Sequence, residues 1–465
     1  MPELLVVLLV ALALVDVQYD VADRWFGVGA DPRADPAAVL PPEGLDLAEP
    51  SAAPAVAHPL GAGGEVDPAA VAAAVLPYVR DKSLGRHTLV WVADLDSGEV
   101  VYRHGQGNVT PASTLKLLTS AAALEVLGPM ATFSTTVQRQ GNQVFLVGGG
   151  DPFLASRPPA DHDTYPHRAD LTTLARDAAV ALRAAGVTQV RLAYDDSLFT
   201  GPAVNPHWPR TYIPEEVVPP ITALWADEGH ADHYGFVRDP SGQAARDFRQ
   251  ALTRAGVRVV GPLAHRVAPA AATTIAHVES APVGEIVQHT LAVSDNQAAE
   301  VLARHVGLAV LQEGSFAAGA EAVRRTLGEL GVPLEGVRTY DGSGLSRQNR
   351  LTPQALLATL ELAASDEHPD LREVLTGLPV AGFTGSLEWR FADAPMQAKG
   401  LVRAKTGTLT GVHGLAGVVT DRTGAELGFV AIADRVPLPR TLDARKTIDD
   451  LAAALGACTC ARPVG

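Results

Sequence analysis

The chain opens on an unbroken apolar run, Leu4 to Val15, which the polar residues Asp16, Asp20 and Asp23 bring to an end. At ~1.5 Å per residue a helix over this run reaches about 18 Å, well short of the ~30 Å hydrocarbon core of a bilayer. That length suits the core of an export signal better than a full span. No Lys or Arg precedes Arg24 and no small-x-small cleavage pattern follows. The expectation over residues 1–23 is therefore a signal peptide or an uncleaved membrane anchor. Asp31 to Pro59 is dominated by Ala and Pro, with Pro32, Pro36, Pro41, Pro42, Pro50, Pro54 and Pro59. Such a stretch buries too little apolar surface to fold alone, so residues 24–65 read as a tether.

Regular patterning begins near Val66. Ala69 to Arg80 reads as a helix. Thr88 to Asp94 alternates as a strand, Asp96-Ser97-Gly98 turns, and a second strand follows over Val100 to Arg103. Pro111 suits a first helical turn, and Ser113 to Leu127 is Ala/Leu-rich without Gly or Pro. Beyond Gly128 the composition changes. Short strands are predicted at Val144 to Val147, Gln189 to Tyr194 and Arg258 to Val260, and helices at Leu171 to Ala185 and Ala244 to Ala255, with Pro-rich loops through Trp208 to Pro220. Gly148-Gly149-Gly150 lacks the lysine and the spacing of a phosphate-binding loop and reads as a turn. Helices resume at Val283 to Leu291 and Gln297 to Val310. Three strands (Arg403 to Thr406, Gly414 to Thr420, Leu427 to Asp434) and a closing helix (Leu442 to Leu455) complete the pattern. The fold class implied is α/β in the α+β sense. One domain spans residues 66–140 and 276–457, an inserted smaller α+β domain spans 141–275, and 458–465 form a tail.

Composition narrows the function classes. The chain has 465 residues, 47% of them hydrophobic and 19% charged, which provides for a large core. A formal charge of −15 argues against a nucleic-acid partner. The two cysteines, Cys458 and Cys460, are separated by one residue, a loop so short that a bridge is expected to be strained. They cannot complete a zinc site by themselves. His413 lies near the third motif described below, where a surface or packing role is expected. Neither a metal nor a cofactor is expected.

Lysine is scarce: Lys82, Lys116, Lys399, Lys405 and Lys446 are the five, against arginine nearly everywhere else. Lysine can serve as a base once its pKa is lowered, whereas arginine cannot. Two of the five sit in motifs, Ser113-Thr114-Leu115-Lys116 and Lys405-Thr406-Gly407-Thr408, with Ser294-Asp295-Asn296 between them. Each motif alone has a plain reading: a solvated helix face, a helix N-cap, a strand end before a turn. In this order they form the signature of serine acyltransferases acting on penicillin-like and D-alanyl substrates. Ser113 and Lys116, three apart on a helix, share a face. A serine hydroxyl is a weak nucleophile until a base takes its proton, and Lys116 is that base if burial and a second cation, with Lys405 the candidate, lower its pKa. The oxyanion donors are expected to be the backbone N–H groups of Ser113 and Thr408. Ser294 can relay a proton to the leaving nitrogen, and Asn296 can hold both Lys116 and the substrate amide. Lys405, Thr406 and Thr408 can bind a terminal carboxylate, and Gly407 allows substrate to approach the strand closely.

With these residues placed, the chain resembles the class C low-molecular-mass penicillin-binding proteins, D-alanyl-D-alanine carboxypeptidases that often also act as endopeptidases. Also similar to that family are Leu146-Val147-Gly148-Gly149-Gly150-Asp151-Pro152, Asp341-Gly342-Ser343-Gly344-Leu345-Ser346 and Gly382-Phe383-Thr384-Gly385-Ser386-Leu387. The resemblance covers about Ala69 to the C-terminus. It implies a penicillin-recognising transpeptidase-like domain with a five-stranded antiparallel sheet flanked by helices. Ser113 would be the acylated nucleophile and Lys116 its base, Ser294 and Asn296 the second element, and Lys405, Thr406 and Gly407 the third. The implied partners are peptidoglycan peptides with D-Ala-D-Ala ends or crosslinks, with β-lactams as inhibitors, in the cell envelope. The rivals are a β-lactamase-like hydrolase, disfavoured by the lack of a Glu-x-x-Leu-Asn between Ser294 and Lys405, and a catalytically silent cell-wall binding protein.

Overall fold

The computed structural model describes residues 64–462, apart from 161–163, 232–233 and 396–397. The expectations for the N-terminal apolar run and for nearly all of the tether lie outside the described residues. No described helix is long and apolar enough to cross a membrane.

In chain order the main elements begin with α1 (Pro68–Val79), β1 (Thr88–Asp94), β2 (Val100–His104), α2 (Lys116–Leu127), β3 (Ser134–Gln140) and β4 (Gln143–Val147). Next come α3 (Leu171–Ala184), β5 (Gln189–Asp195), α4 (Pro240–Arg254), β6 (Arg258–Val259), β7 (Ala264–His265) and β8 (Thr273–Glu279). The remainder are α5 (Val283–Ala292), α6 (Asn296–Leu311), α7 (Phe316–Glu329), α8 (Pro353–Ala364), β9 (Val402–Leu409), β10 (Val412–Thr420), β11 (Glu426–Ala433) and α10, preceded by the short α9 (Arg372–Thr376) and spanning Thr441–Ala457.

A five-stranded antiparallel sheet runs in the order β2-β1-β11-β10-β9, as expected. The two-residue strand period sends side chains into two different cores. On one face Leu89, Val430, Ile432, Val412 and Ala416 pack with α2, α5, α6 and α8. On the other, Val90, Val92, Phe429, Ala431 and Leu415 pack with α1 and α10. Both faces are buried, so the β11 sequence is a near-continuous apolar run rather than an alternation. Helix α2 is the central helix, with every residue from Lys116 to Leu124 buried. A helix that is apolar all round belongs in a core, and the one cation in this run, Lys116, needs a specific reason to be there.

A second, six-stranded sheet is built wholly from residues 134–279, with β6-β5-β4-β3-β8 along its path and β7 on β5. It has its own core, in which Leu171, Leu174, Phe248 and Leu252 from α3 and α4 cover Val144, Leu146 and Leu192. This sheet includes β3 and β8, which lie at or beyond the expected insert boundaries.

The C-terminal tail differs from expectation. Cys458 and Cys460 are joined in a disulfide, with their Cα atoms 5.3 Å apart, a separation a disulfide spans. Cys458 leaves α10 in an extended conformation. The Cys460 N–H donates to Asp421 Oδ2 at 2.7 Å, and Ala461 pairs with Val66, so the tail is tied to the β10–β11 turn and to the segment before α1. Asp421 and the two sulfurs lie close together, but the bridge leaves no thiolate for a metal.

The 341–346 loop packs directly beneath the start of α2. Gly344 has φ +88°, and a Cβ there would lie 1.9 Å from the Ala112 carbonyl oxygen. At Gly261 φ is +76° but the space is open. Gly261→Ala is expected to cost only the left-handed backbone penalty, about 1 kcal/mol, and Gly344→Ala about 2–4 kcal/mol because overpacking adds to it. Denaturant unfolding of the two variants measures both; equal losses would contradict this packing.

Candidate active site

Pro111 and Ala112 bring the chain into α2 through a tight 3₁₀ turn over residues 112–115. Ala112 has φ +49°, an uncommon conformation for a residue with a Cβ. Thr114 Oγ1 braces the turn by donating to the Pro111 carbonyl at 2.8 Å. Along Pro111 to Ser120 only Ser113 is even partly exposed. The turn thus presents one hydroxyl at the surface of an otherwise buried segment.

Lys116 has no exposed surface. Its Nζ donates to Ser113 Oγ at 3.0 Å, Asn296 Oδ1 at 2.8 Å and the Ser343 carbonyl at 2.8 Å. These three acceptors match the three hydrogens of an ammonium. Asn296 is oriented by its own amide nitrogen, which donates to the Val217 carbonyl at 3.1 Å. Asp295 caps α6 by accepting the Ala298 N–H at 3.0 Å, so the plain reading of the second motif as an N-cap holds, while Asn296 also reaches Lys116. Ser294 has φ +66° and a half-buried hydroxyl that bonds to nothing among the described residues. The structure therefore brings Ser113 and Asn296 into contact with Lys116 and leaves Ser294, two residues before Asn296, without a hydrogen bond among the described residues.

Burial lowers the Lys116 pKa to about 8, against the opposing charges of Asp295, Glu300 and Asp341. Of the two causes expected, burial is the one that acts, and the part assigned to Lys405 is corrected, because its charge is not among those that shift Lys116. Lys405 is itself fully buried, and burial first, then the charges of Lys116 and Arg390, push its pKa well below the ordinary value. Of two buried amines the one that releases its proton first cannot repel the other as it titrates. Lys405 Nζ donates to the Thr406 carbonyl at 3.1 Å, and Thr406 Oγ1 donates to Ser386 Oγ at 3.2 Å.

The room left by the absent side chain of Gly407 is filled by the nucleophile turn: a Cβ would lie 2.7 Å from the Pro111 carbonyl oxygen and 3.0 Å from Thr114 Cγ2. Close packing of β9 on the Ser113 turn is thus the physical reason for glycine at this position. β9 is the edge of the sheet. Its Val402 and Ala404 bond outward to residues 379–381, through Ala381 N–H to the Val402 carbonyl and Ala404 N–H to the Pro379 carbonyl. By the strand period the Thr406 and Thr408 N–H groups face the same way, with no strand beside them among the described residues. Thr408 is exposed and registers opposite His413, which is buried at 3% exposure in a packing role.

The comparisons with known proteins agree with this geometry. The model of the D-Ala-D-Ala carboxypeptidase 3 (S13) family matches residues 71–234 and 233–455. The chain belongs to the D-Ala-D-Ala carboxypeptidase S13 family. This S13 chain is a serine-type D-Ala-D-Ala carboxypeptidase, with the mixed α/β fold of the penicillin-binding group. It is 35% identical over 404 residues to a carboxypeptidase of Mycobacterium tuberculosis, covering 84% of this chain and 85% of that one. It is 36% identical over 377 residues to the carboxypeptidase DacB of Mycolicibacterium smegmatis, covering 79% and 80%. Among solved structures, penicillin binding protein 4 (dacB) of Haemophilus influenzae superimposes with a TM-score of 0.69 at 20% identity, covering 84% of this chain and 98% of that one. That likeness is one of fold.

The Ser343 carbonyl is a contact to Lys116 that the motif search missed. Its signal was present in Asp341-Gly342-Ser343-Gly344, but a main-chain oxygen leaves no residue type to look for. If a neutral Lys116 is the active form, the acylation rate rises with pH through about 8. Asn296→Asp puts a negative charge 2.8 Å from the amine in place of a neutral oxygen, so that limb is expected to move to higher pH. Stopped-flow acylation across pH measures both; an unshifted limb in folded Asn296→Asp would contradict the assignment.

Proposed function

We propose that this S13 enzyme removes the terminal D-alanine of peptidoglycan stem peptides through an acyl-enzyme on Ser113, with Lys116 as the base. The observation that carries this reading is the buried amine 3.0 Å from the Ser113 oxygen. While Lys116 is an ammonium, it donates to Ser113. Once it has lost a proton, its lone pair faces Ser113 Oγ and the hydroxyl donates instead. The Ser113 proton then moves to Nζ as Oγ bonds to the carbonyl carbon of the penultimate D-alanine. A general base in this position contributes roughly 10²–10⁴-fold.

The N–H groups of Ser113 and Thr408 stabilise the oxyanion, each worth about 3–4 kcal/mol in the transition state. The unbonded Ser294 hydroxyl passes the proton from Lys116 to the leaving nitrogen, free D-alanine departs, and water hydrolyses the ester. The peptide lies along the open Thr406–Thr408 edge as an added strand. Its terminal carboxylate meets Thr406, Thr408 and Lys405, and the arriving negative charge favours the protonated form of the Lys405 amine.

A β-lactam presents the same carboxylate and a reactive amide. Penicillin binding protein 4 of Haemophilus influenzae has been solved in complex with a β-lactam. The same acylation is proposed here, with crosslinks as further substrates. Residues 134–279, with their own sheet and core, act as the inserted α+β domain. The peptidoglycan substrate places the enzyme outside the cytoplasm, held by or released from its N-terminal apolar segment. The Cys458–Cys460 bond fits an oxidising compartment.

Fluorescent penicillin tests the nucleophile. Wild-type enzyme is expected to carry a label that persists, whereas a β-lactamase would clear it. Ser113→Ala is expected to carry none and to release no D-alanine from a pentapeptide. Undiminished label on folded Ser113→Ala would overturn the assignment.

A further inference from the structure

Behind the base stands a buried carboxylate that none of the three motifs includes. Glu300 lies on α6, four residues after Asn296, and is 1% exposed. Its Oε1 accepts the Ser343 N–H at 2.8 Å, and both carboxylate oxygens accept the Gly342 N–H at 3.1 Å. The carbonyl of the same Ser343 receives the Lys116 amine at 2.8 Å. Thr119, one turn along α2 from Lys116, donates to the Gly342 carbonyl at 2.7 Å. Asp341 closes the turn, accepting the N–H groups of Gly344 at 3.0 Å and Ser346 at 2.5 Å, the Asn349 amide at 2.7 Å and the Trp208 indole at 2.8 Å. Gly342 is wedged against α6, where a Cβ would lie 2.6 Å from Ala303 Cβ and 2.7 Å from the Ala299 carbonyl oxygen. The 341–344 turn is thus a rigid plate between α2 and α6, pinned to α6 by Glu300.

We infer that Glu300 is a positioning residue for Lys116, holding the Ser343 carbonyl against the amine and setting a negative charge behind it. This inference rests on Lys116 being the base. The charged groups facing Glu300 are Asp341 on the turn, Arg304 one helical turn further on and Lys116 itself, and Lys116 in turn faces Asp295 at the α6 N-cap and Lys405. Arg304 gives its guanidinium to the carbonyls of Thr200, Pro202 and Gly314, and Glu300 forms no ion pair among the described residues. Its carboxylate is therefore compensated by the Ser343 hydroxyl and the two backbone N–H groups. Burial and the charge of Asp341 raise its pKa to about 7, opposed by the Ser343 hydroxyl and those N–H groups, so the carboxylate is ionised where Lys116 titrates.

The sign of the effect on the base follows. An ionised Glu300 favours the ammonium form of Lys116 and so opposes burial. In Glu300→Gln that opposition is gone and the Lys116 pKa falls. The rising limb of acylation against pH is then expected to move to lower pH by on the order of half a unit or more. The limiting rate is expected to fall roughly tenfold to a hundredfold, because the Ser343 carbonyl loses its anchor. A purely structural role would lower the rate without moving the limb.

The experiment is stopped-flow acylation by penicillin across pH on the wild-type chain and Glu300→Gln, with Lys116→Met alongside. An unmoved limb in folded Glu300→Gln overturns the inference and leaves the base intact. Wild-type acylation by Lys116→Met overturns the base assignment beneath it. If Glu300→Gln does not fold, Glu300→Asp keeps the charge on a shorter arm. Its limb is expected at the wild-type pH with a reduced rate, and a wild-type rate there overturns the inference.

Discussion

The amine of Lys116, sealed from water and bonded to three oxygens from three distant parts of the chain, is the constraint that organises this molecule. A buried charge without partners costs several kcal/mol, and a buried lysine is tolerated only where its surroundings either pair it or let it lose its proton. Here both options are kept near balance. Burial drives the proton off, while Asp295, Glu300 and Asp341 draw it back, leaving a pKa of about 8. That balance serves a group that must accept a proton from serine and then release it to a leaving amine.

The same constraint links the rest of the fold to the site. Asn296 is oriented by the Val217 carbonyl, Asp341 by the Trp208 indole, and the Asn205 amide donates to the Tyr340 carbonyl at 2.7 Å. All three contacts come from the Pro-rich loops that follow the second sheet's β5. That stretch therefore does more than extend the molecule, because it holds Asn296, which meets the base, and the 340–344 turn whose Ser343 carbonyl does. On the opposite side, Gly407 lets the β9 edge press against the Pro111–Thr114 turn, which fixes the distance between the nucleophile and the strand proposed to receive the substrate.

Much of this was legible in the sequence. β1, β2, β10, β11, α1, α2 and α10 fall within a few residues of where the pattern places them, because each is amphipathic or apolar over its whole length. β3 was not legible: Ser134–Gln140 is polar, with only Thr135 and Val137 buried. Helices α7 and α8 carried no expectation, although Ser315 and Thr352 cap them. The Ser113, Lys116 and Asn296 contacts could be anticipated because the chemistry demands those side chains. The Ser343 carbonyl could not, since main-chain oxygens have no letter. The Cys458–Cys460 bond depends on how the chain leaves α10, and the role of Gly407 depends on which segment faces it, neither of which is set by local sequence.

Lysine scarcity makes the central claim directly measurable. With only five lysines, Lys82, Lys116, Lys399, Lys405 and Lys446, carbon-13 labelling at Cε gives a spectrum in which each amine can be followed and assigned by substitution. The account predicts that the Lys116 resonance titrates near 8, and that Lys405 also titrates well below the ordinary lysine value. A Lys116 resonance that stays protonated until the ordinary lysine range near ~10.4 would contradict it.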